Sequence, residues 1–108
     1  MTVEGRHTPG GTGIVEHGQR LELSRFSHVH FLGIGGIGVS AVARLVMAAG
    51  TKVSGSDVRE SSITLALARD GARVFIGHAA SNLAGADLVV VSTAIPETNP
   101  ELRAAHEA

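Results

Sequence analysis

The sequence predicts an α/β domain built on a doubly wound parallel sheet with flanking helices. Three observations predict it. Short apolar runs at residues 28–32, 51–54, 73–76 and 88–92 alternate with segments of helical period. A G-x-G-x-x-G stretch, on Gly33, Gly35 and Gly38, sits between the first run and the first helical segment. Val89-Val90-Val91 shows no polar alternation, as in a strand buried on both faces. Parallel strands need crossovers, which are nearly always right-handed. The expected strand order is 3-2-1-4, a Rossmann-like arrangement.

Residues 1–24 are rich in Gly and polar residues without a lasting period, and are expected as a flexible tail. The domain is expected over residues 25–108. His28 to Leu32 is the first strand. Residues 36–49 form the first helix, with Val42, Leu45, Val46 and Ala49 as its core face and Ser40, Arg44 and Ala48 opposite. Gly50 caps its end. Residues 51–54 are the second strand, ending in Gly55-Ser56-Asp57. Ser61 or Ser62 caps a second helix that runs to Asp70 and stops at Gly71. Arg73 to Ile76 and residues 88–92 are the third and fourth strands. Asn99-Pro100-Glu101 opens a last helix: Asn caps, Pro takes the first position, and Glu meets the positive end of the dipole.

The bulk composition excludes several classes. Nine Lys+Arg against ten Asp+Glu give a net charge of −1, too little to draw in nucleic acid or an anionic membrane. With no Cys there is no disulfide framework, zinc-thiolate site or thiol nucleophile, a composition compatible with the cytoplasm. Trp and Tyr are absent. Residues 31–50 carry a single charge, Arg44, but glycines interrupt them, so strand, turn and buried helix fit better than a membrane span. The six His residues form no compact ligand set with carboxylates, so no metal site is expected.

In a doubly wound sheet ligands bind beyond the carboxyl ends of the strands. That confines the search to residues 33–38, 55–59, 77–80 and 92–99. In the first loop, Gly33 permits a tight turn, Gly35 and Gly36 let backbone approach an oxyanion, and Gly38 allows the helix to pack near the sheet. The N–H groups of the first helical turn, from Ile37 on, then face a diphosphate. Asp57, nineteen residues past Gly38, reads as a ribose acceptor or as a charge at the next helix. Ser56 and Arg59 lie beside it; Arg59 reads equally as a ligand contact or a solvated cation. His78 either touches base or ribose or is a turn histidine. Ser92 and Thr93 hydroxyls, with the N–H groups of Ala94 and Ile95, line the pocket or merely connect strand to helix. These residues imply a nucleotide-diphosphate site without choosing the nucleotide. An NAD(P)-binding dehydrogenase domain and a non-catalytic module on the same scaffold both remain open.

The segments "HFLGIGGIGVSAVA", "VSGSD", "GA…GH…N" and "ADLVVVSTAIPETNPEL" resemble, in that order, the N-terminal domain of bacterial Mur ligases. The resemblance implies binding of the UDP part of UDP-N-acetylmuramate. Backbone N–H groups of residues 35–38 would hold the diphosphate and Asp57 the ribose. Ser56, His78, Thr93, Ala94 and Ile95 would enclose the uridine. Gly35 stands where the muropeptide-recycling branch usually has Cys, which favours the branch that adds L-alanine. The family uses ATP and Mg2+ to form an acyl-phosphate, which an amine then attacks. No G-x-x-x-x-G-K-[ST] loop and no carboxylate cluster for magnesium occur in these residues. The ATP-binding central domain and C-terminal domain implied by the family are expected outside this stretch, which alone is expected not to catalyse ligation.

Overall fold

The computed structural model describes residues 2–7, 11–15, 26–92 and 95–107. The elements are β1 (Thr2–His7), β2 (Gly11–Val15), β3 (His28–Leu32), α1 (Ile37–Ala48), β4 (Lys52–Asp57), α2 (Ser62–Arg69), β5 (Arg73–Ile76), a 3-10 turn (Ala80–Leu83), β6 (Leu88–Val91) and α3 (Pro100–Glu107). They form one sheet in the order β2-β1-β6-β3-β4-β5. β6, β3, β4 and β5 are mutually parallel, which is the expected 3-2-1-4 arrangement.

Two segments of the expected tail instead form strands. β1 and β2 pair antiparallel with each other, and β1 pairs antiparallel with β6, Val3 opposite Val90. The apolar period used to read the tail does not report on backbone pairing. A strand edge such as that of β6 offers N–H and C=O groups to any segment that can extend beside it.

Alternation along the strands divides the core in two. Val29, Phe31, Val53, Leu88 and Val90 face α1 and α2, joined by Ile34, Val39, Ala43, Val46 and Leu67. Leu32, Val89 and Val91 face the other way, against Leu83, Leu102 and Ala105. α1 is rotated from the expected face. Its buried residues are Val39, Ser40, Ala43 and Val46, while Leu45 is 71% exposed and Ala49 lies at the surface. The small Ala43 is fully buried in the core, a place that a ranking by hydrophobicity gives to Leu45.

Both long turns after helices close as Schellman motifs. Gly50, at φ 89°, donates to the Met47 carbonyl and Thr51 to that of Val46. After α2, Gly71 donates to Ala68 and Ala72 to Leu67. Ser61 and Thr64 form a reciprocal capping box at the start of α2. Arg44 reaches Asp70 at 2.9 Å across the surface between α1 and α2.

Candidate functional site

The loop after β3 is pinned to β4 by backbone. The N–H groups of Gly33 and Ile34 both donate to the Ser56 carbonyl, at 2.8 and 3.0 Å. Gly33 has φ 76°, and Gly36 N–H folds back on the Gly33 carbonyl at 2.9 Å. Ser40 N–H is the first to reach a helical acceptor, the carbonyl of Gly36. The N–H groups of Ile37, Gly38 and Val39 have no backbone acceptor among the described residues. They are the orphan donors of a helix start, at its positive end. Gly36, Ile37 and Gly38 are exposed, Ile37 by 84%.

The reason expected for Gly38 does not hold: a Cβ there would meet nothing within 4 Å. The close approach is at Gly55, where a Cβ would fall on Ile34 and lie 2.8 Å from the Phe31 carbonyl. Gly35 is the other crowded position, with Asp57 Oδ2 only 2.8 Å from where its Cβ would stand. Asp57 turns toward the loop. Its Oδ2 accepts from Gly35 N–H at 2.8 Å, and its Oδ1 from Val58 N–H at 2.8 Å. Asp57 is half-buried and Arg59 is exposed.

Beneath these loops lies a polar network that the sequence reading did not assemble. Glu101, fully buried at the start of α3, is its centre. Its Oε1 accepts from His30 Nε2 at 2.5 Å and from Ser56 Oγ at 2.8 Å. Its Oε2 accepts from Asn82 Nδ2 at 3.0 Å and Ala79 N–H at 3.1 Å, and lies 3.0 Å from His78 Nδ1. Burial alone would raise this carboxyl. The donors from His30, Asn82 and Ser56 outweigh it and hold the group at about 2. Farther along the same face, Ser54 Oγ lies 2.7 Å from both His30 Nδ1 and His28 Nε2. One hydroxyl hydrogen serves only one ring nitrogen, so the other ring must donate to Ser54. Burial, the leading cause, pushes the His28 ring below 6.5.

Of the expected site residues, Gly33, Gly35, Gly36, Ile37, Gly38 and Asp57 come together around the start of α1. Ser56 is fully buried, and its hydroxyl hydrogen goes to Glu101. His78 Nδ1 is also 2.8 Å from Ser56 Oγ. Ile95 packs toward Gly33, its N–H donating to the Ser92 carbonyl at 3.1 Å. Thr93 and Ala94 lie outside the described residues. Glu101 was visible in the sequence only as a dipole charge at Asn99-Pro100-Glu101. The polar alternations His28-x-His30 on β3 and Ser54-x-Ser56 on the neighbouring β4, with His30 opposite Ser54, were the signal for a buried partner on that face.

Among the described residues, no group of three or more His, Asp or Glu is arranged to hold a metal ion. No helix among them is long and apolar enough to cross a membrane. A cavity of about 170 Å3 lies on the α3 side of the sheet, lined among others by His28, Lys52, Ser54 and Arg73. None of the glycine-loop residues borders it.

A profile of the Mur ligase family, catalytic domain, matches residues 28–108. The UDP-N-acetylmuramate–L-alanine ligase of Thiobacillus denitrificans is 54% identical over 80 residues, covering 74% of this chain and 17% of that protein. The enzyme of the same name from Syntrophobacter fumaroxidans is 53% identical over 85 residues, 79% of this chain and 18% of its own. The crystal structure of the UDP-N-acetylmuramate-alanine ligase of Thermotoga maritima superposes with a TM-score of 0.72 at 40% identity, over 74% of this chain and 19% of that one. The chain thus spans under a fifth of the length of the relatives it matches.

Proposed function

Because the chain belongs to the Mur ligase family, we propose that it binds the UDP part of UDP-N-acetylmuramate, as the N-terminal domain of a cytoplasmic ligase that adds L-alanine to that substrate in peptidoglycan precursor synthesis. The observation that carries the reading is the exposed start of α1. There, among the described residues, the N–H groups of Ile37, Gly38 and Val39 lack backbone acceptors, and the Asp57 carboxylate accepts from Gly35 N–H, two residues before Ile37. A diphosphate on those donors leaves its ribose within reach of the carboxylate at the tip of β4.

The branch that adds L-alanine is favoured by Gly35. A larger residue at 35 would put its Cβ 2.8 Å from Asp57 Oδ2 and break the carboxylate away from the loop. The relatives named for the alanine ligase support the same branch.

ATP and Mg2+ serve the family's ligation, but the residues here do not fit them. No Lys stands directly after Gly38, and the side chain bonded to the glycine loop is a carboxylate. On this reading the acyl-phosphate chemistry belongs to the central and C-terminal domains, and residues 1–108 alone do not ligate.

Titration calorimetry tests the proposal. UDP-N-acetylmuramate is expected to give saturable heat, and NAD none. Heat with NAD and none with the UDP-sugar would overturn it in favour of a dehydrogenase domain. If Asp57→Ala left UDP-sugar affinity unchanged, the pocket assignment would fail.

A further inference from the structure

We infer that Glu101 is a positioning residue for the nucleotide site: it takes the Nδ1 hydrogen of His78 and so leaves Nε2 as an acceptor that an N–H or O–H of the bound nucleotide meets. The inference rests on the UDP reading above and adds a selectivity to it.

Around the neutral His78 ring the hydrogen count admits one arrangement. Ser56 has a single hydroxyl hydrogen, and it goes to Glu101 Oε1 at 2.8 Å. The two atoms facing His78 Nδ1 are then Ser56 Oγ at 2.8 Å and Glu101 Oε2 at 3.0 Å. Neither has a hydrogen to give. The other neighbours of Oε2, Ala79 N–H and Asn82 Nδ2, are donors too, so the carboxylate stays an acceptor. Nδ1 must carry the hydrogen, and a neutral imidazole has only one. Nε2 is therefore bare, and no hydrogen bond to it occurs among the described residues.

Position makes this matter. His78 follows β5 at the carboxyl end of the sheet, between the exposed Gly77 and Ala79. Gly77 N–H donates to the Asp57 carbonyl at 2.7 Å, which ties the His78 loop to the residue read as the ribose acceptor. A bare Nε2 there rewards a ligand that donates. Uracil offers N3–H at its pairing edge, where cytosine has only a lone pair. A ribose hydroxyl can donate as well.

The test uses the 108-residue chain with UDP, CDP and 2′-deoxy-UDP as probes, together with 15N NMR of the histidine rings. Wild type is expected to show His78 as the Nδ1–H tautomer. It is expected to bind UDP roughly tenfold tighter than CDP if the base donates, or than 2′-deoxy-UDP if that hydroxyl does. Glu101→Leu removes the acceptor; Ser56 can then donate to Nδ1, the tautomer reverses and the preference falls toward one. Glu101→Asp keeps the carboxylate and is expected to restore the preference, which a merely structural anchor would not require. A folded Glu101→Leu with the wild-type tautomer and preference overturns the inference. Should that variant not fold, an Nε2–H tautomer in wild type, or equal affinity for all three probes, overturns it as well. A wild type that binds no UDP at millimolar concentration overturns the UDP reading itself.

Discussion

Glu101 and His30, 71 residues apart in sequence, meet at 2.5 Å with neither side chain exposed to solvent. The contact fastens the first turn of α3 to the middle of β3, and three more side chains and a backbone N–H converge on the same carboxylate. Removing a partner from such a group leaves buried donors without an acceptor. Glu101→Ala is therefore expected to cost about 3–5 kcal/mol, the range for breaking a buried pair. Urea unfolding followed by circular dichroism measures it. A loss below about 1 kcal/mol, the surface-pair range, would place the carboxylate in water.

The same carboxylate gives the domain a pH dependence of definite sign. Its folded value is about 2 against an ordinary 4.5. A depressed carboxyl stabilises fully above its unfolded value, and the gain is lost as pH falls from there toward the folded value. Stability should thus drop between pH 4.5 and 2, by on the order of 3 kcal/mol from this group. His28 acts in the same direction from higher pH. Its ring is pushed below 6.5, so its contribution is complete above 6.5 and begins to fall as pH drops below that value. Urea midpoints at steps from pH 8 to pH 3 check both, and the steeper fall below 4.5 should disappear in Glu101→Ala.

Gly35 and Gly38 belong to one motif but should respond in opposite ways to Ala. At Gly35 the new Cβ would stand 2.8 Å from Asp57 Oδ2 and 3.1 Å from Thr64 Cγ2, so the carboxylate must leave the loop. UDP affinity is expected to fall about tenfold, the loss of one hydrogen bond to a charged group. At Gly38 nothing lies within 4 Å, and the residue is helical. Gly38→Ala should raise stability by about 0.5–1 kcal/mol through helix propensity and a less entropic unfolded chain. Thermal melts read one effect and calorimetry with UDP the other.

The strands and helices of the parallel sheet were legible because burial on both faces leaves runs such as Val89-Val90-Val91, and because Ser61, Gly50, Gly71 and Asn99 mark helix ends chemically. The rotation of α1 was not. Amphipathic period alone cannot separate the stripe through Ala43 from the one through Leu45, since both carry apolar residues. β1 and β2 were missed because edge pairing uses backbone groups that leave no apolar period. In the candidate site, the meeting of the glycine loop with Asp57 could be read from spacing. Glu101 could not be joined to His30, Ser56 and His78, because three separate crossovers bring them together and no local pattern spans that distance.

Gly55 gives the most direct test of how the glycine loop is seated. It lies in β4 opposite Phe31, and its missing side chain leaves room for Ile34, which is fully buried. A Cβ at 55 would meet Ile34 and come within 2.8 Å of the Phe31 carbonyl. The backbone contact cannot yield, and Ile34 cannot swing away without lifting the N–H groups of residues 33 and 34 from the Ser56 carbonyl. Gly55→Ala is expected to cost about 1–3 kcal/mol by overpacking. It should also weaken UDP binding, since the loop and the start of α1 move together. Ile34→Ala in the same chain relieves part of the collision, so the double variant should lose less stability than the two single losses combined. Strict additivity in urea unfolding would show that Ile34 does not rest on Gly55.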